Sequence, residues 1–111
     1  MDSTQALQLL DGLAAPARLA LFRLLVRHAP HGLVAGELAA GIGVAANAAS
    51  FHLKALTQAG LVAATAEGRF LRYRANTDAM RDLIAYLGAE CCEQHPARCG
   101  LPSPTPCGTR P

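Results

Sequence analysis

The segment between residues 37 and 62 constrains the fold most, because it holds two short helical patterns joined by a glycine turn. The first pattern places Leu38 on an inward face, and the second runs from about Ala45 to Gly60. Gly41-Ile42-Gly43 separates them, and such small residues let two helices pack closely at a steep angle. Two short strand patterns follow. The sequence therefore predicts a helix-turn-helix with a β-hairpin wing.

Helical and strand patterns also cover most of the remaining chain. The predicted helices cover about residues 4–13, 16–28, 35–40, 45–60 and 77–92, and the predicted strands cover 61–65 and 69–75. The fold class is therefore mainly α (α+β), in the order α-α-α-α-β-β-α. We predict one domain over residues 1–95 and a flexible Pro/Gly-rich tail over residues 96–111.

The same periodicity predicts which apolar side chains form inward faces. In the strand over 69–75, Leu71 and Tyr73 share one face, opposite Phe70, Arg72 and Arg74. The residues expected on the apolar faces of the helices are Leu7, Leu10 and Leu13 with Ala6 and Leu9 beside them, and Leu19, Leu21, Phe22, Leu25, Val26, Leu38, Ala49, Leu53, Leu56, Ala59, Met80, Leu83, Ile84 and Leu87.

The chain is weakly basic overall, and the segment over residues 50–75 is more basic than the rest. The 111-residue chain has a net charge of +2, but residues 50–75 hold four basic side chains against one acidic side chain. A local basic patch is typical of DNA-binding surfaces, although a solvated surface also fits it. The sequence has no apolar run of about 18 residues and no secretion signal at its start, so we expect a cytoplasmic protein with no membrane partner.

A specific motif begins in the first of the two short helices. It reads Glu37-Leu38-Ala39, then Ser50-Phe51-His52-Leu53-Lys54, Ala59-Gly60-Leu61-Val62 and Gly68-Arg69 followed by Tyr73-Arg74. With this motif the chain resembles, over roughly residues 6–90, the ArsR/SmtB family of metal-responsive transcriptional repressors. The resemblance implies a homodimer whose first and last helices form the interface and whose two recognition helices read a palindrome in double-stranded operator DNA.

The exposed N-terminal half of the second helix would enter the major groove. Asn and Ser side chains can bond base edges or phosphates, whereas His and Lys suit phosphates, and wing arginines would reach the adjacent minor groove or backbone. The predicted DNA-binding residues are Asn47, Ser50, Phe51, His52, Lys54, Arg69 and Arg72. His52 also fits an ordinary surface histidine, and Arg72 and Arg74 also fit residues that only solubilise the hairpin.

Ala45, at the start of the recognition helix, departs from the family pattern. Members of the family often have Ser or Thr there, whose side chain caps free backbone N–H groups. Alanine gives up this cap at a cost of about 1 kcal/mol, for which Asn47 offers partial compensation.

All four cysteines lie in the last 21 residues. A secreted disulfide fold would spread its cysteines along the chain, so the clustering favours metal, metalloid or redox chemistry. Two ligand sets familiar in the family are absent or incomplete: a Cys-Val-Cys pair before the recognition helix, and an Asp and His set on the last helix. Soft thiolates select soft ions, and As(III) prefers three of them. We therefore predict that Cys91, Cys92 and Cys99 bind As(III) or Sb(III) as the inducer.

Other interpretations of the cluster stay open. The third thiolate could come from the partner subunit, and Cys107 fits a spare thiol. Zn(II) or Cd(II) could be held by Cys91, Cys92, His95 and Cys99, the cysteines could sense redox state through a disulfide, or the cluster could be silent.

A small thiol carrier or redox enzyme belongs to a different class. It would need a thiolate activated near a base or a helix N-terminus, whereas these cysteines are predicted at a helix C-terminus. The sequence also shows no Gly-rich phosphate loop and no paired carboxylates. We therefore expect a repressor and not an enzyme, with no organic cofactor.

Overall fold

The computed structural model describes residues 1–90, which form helices and a three-stranded sheet. The helices are α1 (Ser3–Leu13), α2 (Pro16–Arg27), α3 (Ala35–Ile42), α4 (Ala46–Gln58) and α5 (Thr77–Gly88), and the strands are β1 (Leu33–Val34), β2 (Val62–Glu67) and β3 (Phe70–Ala75). The predicted winged helix-turn-helix is confirmed. The predicted boundary at residues 95 and 96 lies outside the described residues.

Local sequence signals set most helix ends. The Asp2 side chain accepts a hydrogen bond from the backbone N–H of Gln5 at 2.8 Å, and the Gln5 side chain accepts one from the Asp2 N–H at 3.1 Å. This reciprocal pair starts α1, as such capping boxes do. Pro16 occupies the first turn of α2, where its missing N–H needs no partner. Gly43, with φ of 73°, ends α3 in the left-handed region that favours glycine.

The sheet has the strand order β1-β3-β2 and is antiparallel throughout. β2 and β3 form the wing hairpin, in which Glu67 pairs with Phe70 across the turn at Gly68 and Arg69. The predicted strands over 61–65 and 69–75 leave a turn at residues 66–68. In the structure the turn lies later, at Gly68 and Arg69, because the ladder continues through Ala66 and Glu67. β1 was not predicted. Its Leu33 pairs with Tyr73, so β1 joins the loop after α2 to the inner strand of the wing.

The core lies where α1, α2, α3 and α4 meet the base of the wing. Its fully buried side chains are Leu21, Leu25, Leu38, Leu53, Leu56 and Leu61, and Ala6, Leu9, Phe22, Val62, Tyr73 and Leu83 complete it. The predicted inward positions Ala49, Leu53 and Leu56 of α4 are confirmed.

Several apolar side chains predicted on inward faces are exposed instead. They are Leu7, Leu10, Leu19, Leu71, Ile84 and Leu87. In α1 the buried face is formed by Ala6 and Leu9, so Leu7 and Leu10 turn away from the core of this chain. In α5 Leu83 is buried while Ile84 and Leu87 are not. These helices therefore carry more apolar residues than one protomer buries.

α5 is shorter than predicted. It ends at Gly88 and not at Cys92, and Glu90 has a left-handed φ of 65° that helical backbone does not adopt. The helix therefore stops before the cysteine cluster. The cysteines themselves lie outside the described residues.

Gly32 is expected to tolerate no side chain. Its φ is +80°, and a Cβ would lie 2.2 Å from the carbonyl oxygen of Tyr73. We expect Gly32→Ala to lower the free energy of unfolding by at least about 2 kcal/mol, since strain and a backbone clash act together. Gly36→Ala is the matched control, because nothing lies within 4 Å of its Cβ position and alanine favours the helix. Urea unfolding of both variants checks this, and equal stabilities would contradict it.

Candidate nucleic-acid interface

The turn between α3 and α4 sets the position of the recognition helix. The Glu37 side chain accepts a hydrogen bond from the backbone N–H of Val34 at 3.0 Å, which fixes the first turn of α3. Leu38 is fully buried, and α3 packs against both α2 and α4. The first turn of α3 is thus fixed, and the helix is packed between α2 and α4. As a result, α4 leaves the turn with one side on the core and the other in solvent.

α4 presents one polar stripe to solvent. Asn47, Ser50, Phe51 and Lys54 are all exposed and follow the spacing i, i+3, i+4, i+7, which places them along one side of a helix. The buried residues Ala49, Leu53 and Leu56 occupy the opposite side. The stripe therefore brings together four of the predicted DNA-binding residues on the surface that a helix-turn-helix offers to a major groove.

His52 lies outside this stripe. It is half-buried beside the inward face of α4, and its Nδ1 atom is buried without a hydrogen-bond partner among the described residues. Its ring meets that of Phe51 edge to face, with centroids 5.5 Å apart and planes at 71°. This position fits a residue that supports the Phe51 ring, and phosphate contact by His52 remains a prediction.

The N-terminus of α4 has the weak cap that the sequence predicts. Ala45 is the N-cap residue and forms no side-chain capping bond. Asn47 Oδ1 accepts a hydrogen bond from the Ala48 N–H at 2.9 Å, so one of the free donors of the first turn is satisfied from within. The remaining N–H groups of this turn are available to a partner that carries acceptors, such as a phosphate.

The wing arginines have different surroundings. Arg72 donates to Glu67 at 2.9 Å and to the Gly32 carbonyl at 3.2 Å, and its side chain is only 19% exposed. Arg74 donates to Thr65 Oγ1 at 3.1 Å and lies 3.7 Å from Glu67. Arg69 lies exposed at the hairpin turn. The geometry thus leaves Arg69 ready for an external phosphate, whereas Arg72 ties the wing to the loop before β1.

Asn76 joins α5 to the end of the recognition helix, and the sequence reading did not single it out. Its side-chain oxygen accepts from the Ala79 N–H at 3.1 Å, and its Nδ2 donates to the Gly60 carbonyl at 3.0 Å. Its backbone N–H donates to the Leu61 carbonyl at 2.8 Å. An Asn before a helix is a typical N-cap signal in a sequence. The hydrogen bond to the Gly60 carbonyl cannot be predicted in this way, because it depends on tertiary structure.

The α1–α5 surface, defined by Leu7, Leu10, Ile84 and Leu87, is apolar and exposed. α1 and α5 contact each other, and Leu9 and Leu83 pack in the same core. Exposed apolar residues on two helices that contact each other are a candidate interaction surface.

Residues 1–90 offer no group of three or more His, Cys, Asp or Glu side chains able to hold a metal ion. On α5, Asp78 is paired with Arg81 at 2.7 Å. In the same part of the chain, none of the helices has the length and apolar character that a membrane span requires. The predicted ligands Cys91, Cys92 and Cys99 lie outside the described residues.

Comparison with known proteins gives a consistent result. A family model described as a helix-turn-helix domain matches residues 13–64. The homodimeric winged helix-turn-helix domain of Mb0332 from Mycobacterium bovis, a possible ArsR-family transcriptional regulator, is 28% identical, with a TM-score of 0.64 over 83% of this chain and 85% of that one. A structure titled possible transcriptional regulator for arsenical resistance is 34% identical, with a TM-score of 0.62 over 74% of this chain and 81% of that one. The chain belongs to the ArsR family of winged helix-turn-helix transcriptional regulators.

This ArsR-family chain is also similar to the transcriptional repressor BigR from Xylella fastidiosa, at 27% identity and a TM-score of 0.62 over 80% of this chain and 89% of that one. A search of the curated proteins gives no match. The family and the similar structures are DNA-binding transcriptional regulators, which confirms the prediction that the chain is not an enzyme.

Proposed function

We propose that the chain is a cytoplasmic repressor that binds palindromic operator DNA as a homodimer and releases it when cysteine thiolates capture As(III) or Sb(III). The observation that carries the proposal is the position of the cysteine cluster. Cys91 and Cys92 follow within four residues of Gly88, the end of α5. Residues 1–90 hold no competing metal-ligating group.

The stripe on α4 supports the DNA-binding part of the proposal. It combines base-reading and phosphate-binding side chains, and Arg69 adds a cation at the wing. Phosphate contacts position a protein on DNA, whereas contacts to base edges specify the sequence. A dimer with two-fold symmetry presents two copies of α4, so a palindrome with two half-sites fits this surface.

The α1–α5 surface supports the dimer. Leu7, Leu10, Ile84 and Leu87 would be covered by the same residues of a second copy around a two-fold axis, as closed homodimers require. The structural relative from Mycobacterium bovis is described as homodimeric. Such an interface would place the ends of two α5 helices close to where the protomers meet, and Cys91 follows each of these ends by three residues in sequence.

Asn76 supplies a route from the cysteine cluster to the DNA. Its side chain caps α5 and donates a hydrogen bond to the Gly60 carbonyl just after α4. A displacement of α5 would therefore also move the end of the recognition helix. Half-sites on DNA require two recognition helices about 34 Å apart, and a changed spacing weakens binding. The ion can shift this equilibrium only through its different affinity for the two dimer states.

A titration of the protein bound to its own promoter DNA tests the proposal. We expect arsenite and antimonite to release the DNA in a gel-shift assay, because three thiolates suit these ions. Zinc and cadmium at the same concentrations are the matched comparison and should leave the complex intact. Release by zinc or cadmium alone, or by none of the four ions, would contradict the metalloid assignment.

A further inference from the structure

Phe51 is the most exposed large apolar side chain among residues 1–90. It is 68% exposed in the middle of the polar stripe on α4, with Asn47, Ser50 and Lys54 around it. An exposed phenylalanine forgoes the free energy of burying its ring, so a partner surface that covers it would gain stability. The core offers no place for this ring, because α4 packs on it through its opposite side.

The Phe51 ring also has an aromatic neighbour. The His52 ring meets it edge to face at 5.5 Å, an arrangement that stabilises aromatic pairs. His52 itself is half-buried beside the side of α4 that packs on the core. Phe51 is therefore an exposed apolar side chain, with one aromatic neighbour, on the surface that we propose faces DNA.

A major groove offers such a side chain only one apolar group on the edges of the bases. The C5-methyl group of thymine is this group, and phenylalanine is among the side chains that contact it, whereas cytosine, adenine and guanine present polar atoms. We propose that Phe51 reads the methyl group of one thymine in each operator half-site. This inference rests on the proposed repressor function, and it names a residue that determines which operator is bound.

Replacing thymine by uracil tests the inference, because uracil lacks only the methyl group. The probe is a palindromic operator that the protein selects from random-sequence DNA, with symmetric thymine pairs replaced one pair at a time. For the thymine pair that Phe51 contacts, we expect the replacement to lower the affinity of the wild-type dimer about fourfold for each half-site. The two half-sites together should lower it roughly fifteenfold. Phe51→Ala should bind the thymine and uracil operators with equal affinity, within about twofold.

Phe70→Ala is the matched control. Phe70 is 65% exposed but lies on the wing, so its replacement should leave the thymine preference unchanged. Wild-type protein that binds every uracil operator as tightly as the parent would overturn the inference while leaving operator binding in place. Phe51→Ala protein that still prefers the thymine operator over the uracil operator, because its affinity for both has fallen by the same factor, would overturn it too. Failure of wild-type protein to select any DNA would instead overturn the repressor proposal on which the inference rests.

Discussion

Cys91→Ser/Cys92→Ser protein is expected to bind operator DNA with wild-type affinity and to require at least about 100-fold more arsenite for release. Serine keeps the shape of cysteine but supplies no thiolate, so two of the three proposed ligands are lost. Even the loss of a group that only hydrogen-bonds to a metal ligand lowers metal affinity by about 10–100-fold, and the loss of two ligands should exceed that. DNA affinity should not change, because neither cysteine belongs to the stripe on α4 that we propose contacts DNA. Fluorescence anisotropy of a labelled operator, with arsenite added stepwise, measures both quantities.

Cys107→Ser is the matched control, because this cysteine is the one that we assign no ligand role. It should respond to arsenite as the wild type does. Release of the operator from the Cys91→Ser/Cys92→Ser protein at wild-type arsenite concentrations would contradict the proposed ligand set. An equally large effect of Cys107→Ser would move the third thiolate to that position.

Ile84→Glu is expected to convert the dimer to a monomer and to lower operator affinity at least about 100-fold. Ile84 is 59% exposed in the α1–α5 surface, so the protomer alone loses little when it is replaced. In a two-fold interface each substitution occurs twice, and uncompensated buried charges cost about 3–5 kcal/mol each. A monomer reads one half-site and loses the 10²–10⁴-fold gain from simultaneous binding of two. Sedimentation and operator titration measure the two effects.

Leu71→Glu is the control for the oligomeric state. Leu71 is 47% exposed on the wing, away from the α1–α5 surface, so this variant should remain dimeric. A far-UV circular dichroism spectrum shows whether the Ile84→Glu monomer keeps its helices. An Ile84→Glu protein that sediments as a dimer with unchanged operator affinity would contradict the proposed interface.

Elements with a strong local signal were predictable from the sequence. In α4 the buried stripe of Ala49, Leu53 and Leu56 repeats at helical spacing, and the structure has the same stripe. β1 could not be predicted, because two residues are too few to show alternation and its pairing with Tyr73 is long-range. The end of α5 was misplaced because Ala89 and Glu90 are good helix formers, and the sequence does not reveal the left-handed backbone at Glu90.

Burial was harder to predict than secondary structure. Periodicity identifies an apolar face but not what covers it, so Leu7 and Ile84 were expected on inward faces and are exposed in the protomer. For the candidate interface, the N-terminal half of the predicted recognition helix identified Asn47 and Lys54. The sequence could not show that Arg72 donates a hydrogen bond to the Gly32 carbonyl, because that contact joins residues far apart in the chain.

The most direct test measures bound arsenic and released operator in one sample. Purified dimer on labelled operator is dialysed against rising arsenite, with anisotropy reporting the DNA and elemental analysis reporting arsenic on the protein. The account predicts that release follows arsenic binding and is complete at two bound arsenic atoms per dimer. Operator that stays bound when the cysteines are saturated with arsenic, or that leaves before arsenic binds, would contradict it.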